Sequence, residues 1–280
     1  MPDIPPDHVV VPSVATTDGA GFYFTLSAQS PSGGTARWVT PGFGPIEVQT
    51  CHAAAVSETR AVKVPVDYFV TREAIRSPSL TVSVGSDEIP LDYIITVSIR
   101  PAQLDADAPQ SIADTAVLDV APRSQHAARA DVGNRICSPT SLSMAMNHLG
   151  TDHDFDELVA RCHHRTTDLF GVWPQNIWAA GGFGLLGAVE ALADWDALHQ
   201  ALERRTPVVA SIAPQYLSNA PNTSSGGHLV LIRGIRNNHV IVHDPAADTD
   251  HDVPRRYAVG EFHRAWLSAR GAVYLFSASK

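Results

Sequence analysis

Residues 134–142 read NRICSPTSL, and this run begins a segment whose apolar residues are spaced for a helix. The apolar residues follow the spacing i, i+3, i+4 and i+7, which forms one apolar stripe on a helix. They are Leu142, Ala145, Met146 and Leu149. Ser138 can supply a capping hydroxyl at the start, and Gly150 suits the left-handed residue that ends a helix. The pattern predicts a helix that begins near Cys137 and buries one face.

Cys137 falls in the first turn of this predicted helix, where backbone N–H groups have no partner within the helix. Those N–H groups and the positive end of the helix dipole stabilise a thiolate, and they lower the pKa of a cysteine below its usual value of about 8.5. The alternative is that Cys137 is a small buried apolar side chain, as lone cysteines often are. The position permits a nucleophile without requiring one.

Two later runs contain a histidine and a carboxylate that could act with a nucleophile. Residues 227–235 (GHLVLIRGI) and 239–245 (HVIVHDP) are rich in apolar and β-branched residues, which predicts an antiparallel hairpin. His228 enters the first strand and Asp244 leaves the second, so the two ends meet. The order Cys, His, Asp is that of papain-like catalysis. Taken alone, His228 could be a core histidine, and Asp244 a turn residue before Pro245.

The register of the hairpin decides whether His228 and Asp244 share a face of the sheet. A two-residue turn at Asn237 and Asn238 would pair Arg236 with His239, and Asp244 would then point to the opposite face from His228. For His228 to stand opposite Asp244, the hairpin must be centred on Arg236. We therefore predict an odd-length loop or a bulge between the two strands.

Several motifs, in the same order along the chain, resemble those of the C39-like family of cysteine peptidases. They are Ser124-Gln125, the run from Cys137 to Ser141, Trp-Pro-x-Asn at residues 173–176, the apolar run 207–212, and the two hairpin runs ending in Asp244-Pro245. Residues 117–280 are similar to this family. The resemblance implies an α+β fold of papain-like type, in which an N-terminal helix packs on an antiparallel sheet.

The resemblance also implies a role for each residue of a catalytic triad. Cys137 would be the thiolate nucleophile, His228 the general base and acid, and Asp244 the carboxylate that orients the imidazole. These residue types suit the chemistry, because a thiolate attacks a carbonyl carbon and an imidazole exchanges a proton near neutral pH.

Four further residues receive candidate roles from the resemblance. Gln125 matches the glutamine that supplies an oxyanion donor, although it stands twelve positions before Cys137 and the loop between them must fold back. Asn134 is the alternative donor. Trp173 and Asn176 are candidate substrate contacts in a loop that would line the cleft. Helices are predicted on both sides of that loop, at residues 154–162 and 194–203.

The composition is that of a globular protein, and the family resemblance implies a peptide or protein substrate as its partner. The chain has 280 residues, of which 44% are hydrophobic and 18% are charged. A net charge of -9 without a basic run argues against nucleic acid or an anionic membrane surface as a partner. No stretch has the length of a membrane span, and the start lacks the pattern of a signal peptide, so we expect a cytoplasmic protein. The composition does not indicate an oligomeric state.

We expect neither a cofactor nor a metal ion. Cys162-His163-His164 has no second ligand pair at zinc-site spacing, and residues 248–252 (DTDHD) begin like a calcium loop but lack its glycine and its final glutamate. The three cysteines cannot all pair, and Cys51 and Cys162 lie in separate predicted domains. We therefore expect all three to be reduced.

Residues 1–100 show a pattern different from the rest of the chain. Apolar residues alternate at Phe22, Phe24 and Leu26, at Leu80, Val82 and Val84, and at every second position from 91 to 99. This alternation predicts a small β-sandwich. Residues 101–116 are predicted to be a polar linker, and residues 117–280 the catalytic domain. The β region could bind a partner, or it could pack against the catalytic domain and shape its cleft.

The sequence thus predicts a cysteine peptidase or amidase that works through a thioester on Cys137. Two alternatives remain open at this point. The same thioester could pass its acyl group to an amine or thiol instead of water, which would make the protein an acyltransferase. The chain could also be a non-catalytic peptide-binding module that kept the fold.

Overall fold

The computed structural model describes residues 1–29, 34–46, 60–86, 88, 90, 92–105, 107–221 and 227–277, so Cys51 lies outside the described residues. The strands are β1 (His8–Thr16), β2 (Phe22–Gln29), β3 (Thr35–Val39), β4 (Val62–Lys63), β5 (Phe69–Thr71), β6 (Ser79–Val84), β7 (Tyr93–Pro101), β8 (Gly187–Ala191), β9 (Val208–Ile212), β10 (His228–Arg236), β11 (His239–His243), β12 (Pro254–Ala258) and β13 (Ala272–Phe276). The helices are α1 (Gln125–Ala128), α2 (Cys137–His148), α3 (Phe155–Cys162), α4 (Trp173–Gly181), α5 (Asp196–Glu203) and α6 (Val259–His263). Among these helices, none is long and apolar enough to span a membrane.

Strands β8 to β13 form one six-stranded antiparallel sheet, in the order β12-β11-β10-β9-β13-β8. Strand β9 is buried along its whole length, as its uninterrupted apolar run predicts. Helix α2 packs on β10 and β9. Leu142 of the helix and Val230 of β10 are both completely buried in the same hydrophobic cluster. The helix that carries Cys137 is therefore fixed against the strand that begins with His228.

Helix α2 begins at Cys137, as the sequence predicts, and it ends before Gly150, whose φ of +74° is left-handed. Its apolar stripe is buried as predicted, with Leu142, Ala145 and Met146 each 0% exposed. The predicted cap is wrong. The Ser138 side chain makes no capping hydrogen bond, because its hydroxyl is used in contacts with α4 and β13 instead.

The hairpin of β10 and β11 contains the predicted bulge, although its centre was predicted wrongly. Arg236 pairs with His239 across a two-residue turn, in which Asn237 and Asn238 both have positive φ. The register then shifts between Ile232 and Gly234, so that Arg233 is the extra residue of a β-bulge. Beyond this extra residue, each side chain of β10 points to the face of the sheet opposite to the one it would occupy in a regular hairpin. His228 and Asp244 therefore lie on the same side of the sheet, as diagonal neighbours rather than directly opposite one another.

Both further helices that the sequence predicts are present, with one exception in the segment between them. Helix α3 begins after Asp154, whose carboxylate accepts the N–H of Glu157, and helix α5 begins two residues later than predicted. The exception concerns residues 173–176, which were predicted to be a loop. They form the first turn of α4, where a proline is tolerated because the N–H groups have no partner within the helix.

Strands β1 to β7 form two smaller antiparallel sheets, ordered β4-β5-β1-β7 and β3-β2-β6. Both contribute to a second hydrophobic cluster. Strand β1 connects this cluster to the core of the six-stranded sheet, because successive side chains point to opposite faces. Val10 and Val14 belong to the second cluster, whereas Val11 and Ala15 belong to the core of the six-stranded sheet.

Strand β7 exposes the residues whose alternation predicted it. Tyr93, Ile95 and Val97 are 51%, 52% and 42% exposed, so they do not form an interior face as the alternation suggested. The opposite face of β7 contacts the six-stranded sheet through polar groups. Thr96 donates its hydroxyl to a carbonyl of β8, and Ser98 accepts an N–H of the same strand.

Candidate active site

Cys137 lies at the first residue of α2 with a free, partly buried thiol. The thiol is hydrogen-bonded to the imidazole of His228, the first residue of β10. The second free cysteine of the described residues, Cys162, is 0% exposed at the end of α3. Burial alone raises the pKa of the Cys162 thiol, so this residue is an unreactive core side chain.

His228 and Asp244 form a buried hydrogen-bonded pair. The Nε2 atom of His228 lies 2.6 Å from Oδ1 of Asp244, and the two side chains are 1% and 0% exposed. Because Nε2 is occupied by Asp244, the ring nitrogen that faces Cys137 is Nδ1. The three candidate triad residues thus form one chain of contacts, from thiol to imidazole to carboxylate.

Asp244 is held by two further donors. Its Oδ1 atom accepts the N–H of Ala246 at 3.1 Å, and its Oδ2 atom accepts the hydroxyl of Tyr257 at 3.1 Å. Tyr257 is a buried residue of β12 that was not predicted from the sequence. It stands opposite Val240 of β11, and no local pattern in the sequence indicates that its hydroxyl reaches Asp244.

The electrostatics of the site favour a charged thiolate and imidazolium. Burial opposes the thiolate, but the hydrogen bond and the charge of His228 outweigh it and lower the pKa of Cys137. Burial also opposes the imidazolium, but the charge and hydrogen bond of Asp244, together with Cys137, raise the pKa of His228. The pKa of Asp244 is lowered despite its burial, chiefly by the charge of His228. Each group therefore stabilises the charged form of its neighbour.

The two candidate oxyanion donors lie in different surroundings. Gln125, the first residue of α1, is 4% exposed, and its backbone N–H donates to Pro245, the residue after Asp244, at 2.9 Å. Its Oε1 atom is buried without a hydrogen bond. Asn134 lies in the 3-10 turn before α2 and is exposed. The structure thus brings Gln125 beside the His-Asp pair.

The two candidate substrate contacts both lie in the first turn of α4, but they differ in their contacts. Asn176 is 0% exposed; its Nδ2 donates to the carbonyls of Phe170 and Val172, and its Oδ1 accepts the hydroxyl of Ser138 at 2.9 Å. The amide is fully engaged inside the protein. Trp173 is 7% exposed, and its ring stacks on that of Tyr68.

Ser138 links three elements beside the candidate nucleophile. Its hydroxyl contacts the Asn176 side chain of α4 and, at 2.8 Å, the Tyr274 hydroxyl of β13. Because Ser138 follows Cys137 directly, these two contacts fix the start of α2 against both neighbours. Tyr274 is a second buried residue near the site that the sequence analysis did not single out.

Within the described residues, no cluster of three or more His, Cys, Asp or Glu side chains could hold a metal ion. The run at residues 248–252, which begins like a calcium loop, contains Asp250. Its Oδ1 atom accepts the backbone N–H of Ser124 at 2.6 Å. This contact helps to hold the segment that carries Gln125.

Comparison with known proteins gives one family and several similar folds. A model of the Peptidase_C39-like family matches residues 117–274, whereas no curated protein matches the chain. A double glycine motif protease from an AMS/PCAT transporter, solved in complex with the leader peptide, is 14% identical and covers 60% of this chain and 100% of its own, with a TM-score of 0.41. A C39-like peptidase from Bacillus anthracis has 15% identity, the same coverages and a TM-score of 0.45.

A third similar structure is the peptidase domain of Streptococcus ComA, a bi-functional ABC transporter. It is 16% identical, it covers 52% of this chain and 93% of its own, and its TM-score is 0.39. The family model spans more than half of the 280 residues. By that match the chain belongs to the Peptidase_C39-like family.

Proposed function

We propose that this protein is a cysteine peptidase that hydrolyses a peptide or amide bond through a thioester on Cys137. The observation that carries the proposal is the contact of the Cys137 thiol with His228, whose imidazole forms a buried hydrogen bond with Asp244. The lowered pKa of the thiol and the raised pKa of the imidazole support an ion pair ready for attack.

The proposed reaction has two stages. The Cys137 thiolate attacks the carbonyl carbon, and the His228 imidazolium gives its proton to the departing amine as the C–N bond breaks. A water molecule then loses a proton to His228 and attacks the thioester, which releases the acid and restores the thiolate. Throughout both stages, Asp244 holds the ring orientation and stabilises its positive charge.

The tetrahedral intermediate carries a negative oxygen, for which we propose two donors. The backbone N–H of Cys137, at the start of α2, is the first. The side-chain amide of Gln125 is the second, in preference to Asn134. Its burial and the hydrogen bond between its backbone and Pro245 support this choice.

We assign Asn176 a positioning role instead of a substrate contact. Its buried amide binds Ser138, the residue after the nucleophile, and so supports the start of α2. We keep Trp173 as a residue of the cleft wall.

We also infer the division of the chain into an accessory β-sandwich at residues 1–100, a linker at 101–116 and a papain-like catalytic domain at 117–280. The packing of α2 on the six-stranded sheet supports the catalytic layout. The cluster that the two smaller sheets share supports the sandwich.

A mixed peptide library in water enriched with oxygen-18 tests the proposed function. The wild-type protein should release fragments whose new carboxylates contain the heavy oxygen, and Cys137→Ala should release none. Fragments joined to an added amine, without heavy oxygen, would indicate acyl transfer. Absence of any product from the wild-type protein, with retained binding of library peptides, would instead indicate a peptide-binding module.

A further inference from the structure

Helix α4 is held from one side by segments that connect the N-terminal strands. The ring N–H of Trp178 donates to Gly19 at 3.1 Å, and the side-chain oxygen of Gln175 accepts the N–H of Gly44 at 2.9 Å. From its other side, the first turn of the same helix binds the start of α2. Residues outside the family-matched segment 117–274 thus support the helix next to the proposed nucleophile.

Two residues of the N-terminal region cover the start of α4. The carboxylate of Asp67 accepts the backbone N–H of Trp173 at 2.7 Å. The ring of Tyr68 stacks on the indole of Trp173, with ring centroids 5.5 Å apart and planes at 19°. Tyr68 is only half-buried, so part of this aromatic pair is open to solvent.

Arg270 connects this aromatic pair to the histidine side of the proposed site. Its charge acts on both Asp67 and Tyr68. Its guanidinium also lies against Gly227, the residue before His228, because a Cβ atom at Gly227 would stand 2.5 Å from Nη1. The region around Tyr68 is therefore bounded by α4 on the Cys137 side and by Gly227 on the His228 side.

A groove of about 680 Å³ lies along the surface next to Arg270. Its walls include Gln103, Leu104 and Asp105 of the linker, Tyr216 after β9 and Arg264 after α6. Arg270 thus lines this groove and also lies against Gly227, the residue before His228. An extended peptide that occupies the groove reaches Arg270.

We propose that Tyr68 is a specificity-determining residue of the substrate cleft. With Trp173 and Arg270 it forms a subsite that takes an apolar side chain of the substrate peptide. The two stacked rings supply apolar surface, and the positive charge of Arg270 is balanced there by the buried carboxylate of Asp67. This inference rests on the proposed cysteine peptidase function, which it extends to a part of the chain outside the family match.

Peptide reagents that alkylate an active thiol test the subsite without a known substrate. The probes are acetyl-tripeptidyl chloromethyl ketones in which Leu, Trp or Asp replaces Ala at one position at a time. At one position, the wild-type protein should react faster with the Leu probe than with the Asp probe. Tyr68→Ala should reduce that preference by roughly tenfold and favour the bulkier Trp probe, because the wall has been removed.

Three controls separate a changed subsite from a damaged protein. Tyr68→Phe should keep the wild-type preference, as should Tyr93→Ala, which alters an exposed tyrosine on the outer face of β7. The rate at which iodoacetamide alkylates Cys137 should be the same in all variants, because this small reagent does not need the subsite. If Tyr68→Ala does not fold, Tyr68→Trp narrows the subsite and should favour the Ala probe.

The outcomes distinguish this inference from the proposed function. If iodoacetamide and the peptide probes alkylate Cys137 but the preference is the same in wild type, Tyr68→Ala and Tyr68→Trp, the subsite is refuted and the peptidase proposal stands. A preference for Asp over Leu refutes the apolar subsite as well. If Cys137 is no more reactive than an ordinary thiol, the proposed function fails, and the subsite fails with it.

Discussion

At the scale of single residues, the reactivity predicted for Cys137 has two physical sources. The sequence indicates the first, a helix start with unpaired N–H groups. The structure adds the second, a buried imidazole whose pKa is raised by Asp244. Between the lowered pKa of the thiol and the raised pKa of the imidazole, both groups are charged. The active form therefore persists to lower pH than an ordinary thiol would allow.

Replacement of Asp244 by asparagine tests the orienting role. Asp244→Asn keeps the size of the side chain but removes the charge that stabilises the imidazolium. We expect kcat to fall by roughly two to four orders of magnitude, with little change in thermal unfolding. Tyr257→Phe is the matched control, because it removes one hydrogen bond to the same carboxylate and leaves its charge. Unchanged turnover in Asp244→Asn would remove this residue from the mechanism.

The oxyanion donor is tested by paired substitutions at the two candidate amides. Gln125→Ala should lower kcat about 100-fold, which corresponds to about 3 kcal/mol of transition-state stabilisation, and should change KM little. Asn134→Ala, at an exposed residue, should leave kcat within about twofold of wild type. Steady-state kinetics on a cleaved library peptide measures both. The reverse pattern would transfer the role to Asn134.

At the scale of elements, the bulge at Arg233 places Asp244 on the same face of the sheet as His228. Insertion of one alanine after Leu231 would keep the pairs on the turn side of the insertion and shift the start of β10 by one residue, so that His228 and Asp244 would point to opposite faces. We expect this insertion to abolish turnover while the far-ultraviolet circular dichroism stays close to that of wild type. Arg233→Ala is the matched control, since it keeps the register and loses only the side-chain hydrogen bonds to Leu118. Full activity in the insertion variant would contradict the role of the register.

The elements also show why some features could be predicted from the sequence and others could not. The start of α2 and the extent of α3 depend on residues close together in the chain, and both were predicted. The position of the bulge depends on Leu118, which exchanges hydrogen bonds with Arg233 across a long separation in sequence. The exposure of the apolar face of β7 has a similar explanation, because the polar side chains of its opposite face bind β8. Long-range contacts of this kind leave no local pattern.

At the scale of the whole molecule, Arg100 at the end of β7 joins the N-terminal sheets to the six-stranded sheet. It is 2% exposed, and its guanidinium donates to the carbonyls of Leu192 and Leu267 at 2.8 and 2.7 Å. Together with the two buried faces of β1, these contacts make one continuous structure of the two parts. We therefore expect the chain to unfold in one cooperative transition.

Arg100→Ala tests this connection. The substitution leaves two buried carbonyls without donors, so the free energy of unfolding should fall by roughly 2–3 kcal/mol. Arg37→Ala, at an exposed arginine of β3, should change it by less than about 0.5 kcal/mol. Denaturant titration followed by tryptophan fluorescence measures both variants. Two separate transitions in the wild-type protein would contradict the continuous structure.

The main residues of the candidate site could be predicted from the sequence. Cys137, His228 and Asp244 carried local signals or matched family motifs, and contacts join the three side chains. Gln125 contacts the segment after Asp244 through its backbone N–H. Tyr257 and Tyr274 carried no such signal, because their importance comes only from the strands that the fold places beside Asp244 and Ser138. The contribution of Tyr68 lies outside the family-matched residues and depends wholly on packing.

The pH dependence of Cys137 alkylation tests the central claim most directly. Iodoacetamide is applied to the wild-type protein and to His228→Ala over a pH series, and the adducts are mapped by mass spectrometry with Cys162 as the internal reference. In the wild-type protein, Cys137 should already react rapidly below pH 7, because its pKa is lowered by His228. In His228→Ala, the rise in rate should move to higher pH, since only burial and the remaining contacts act on the thiol. A Cys137 that reacts no faster in the wild-type protein than in His228→Ala below about pH 7 would contradict the claim.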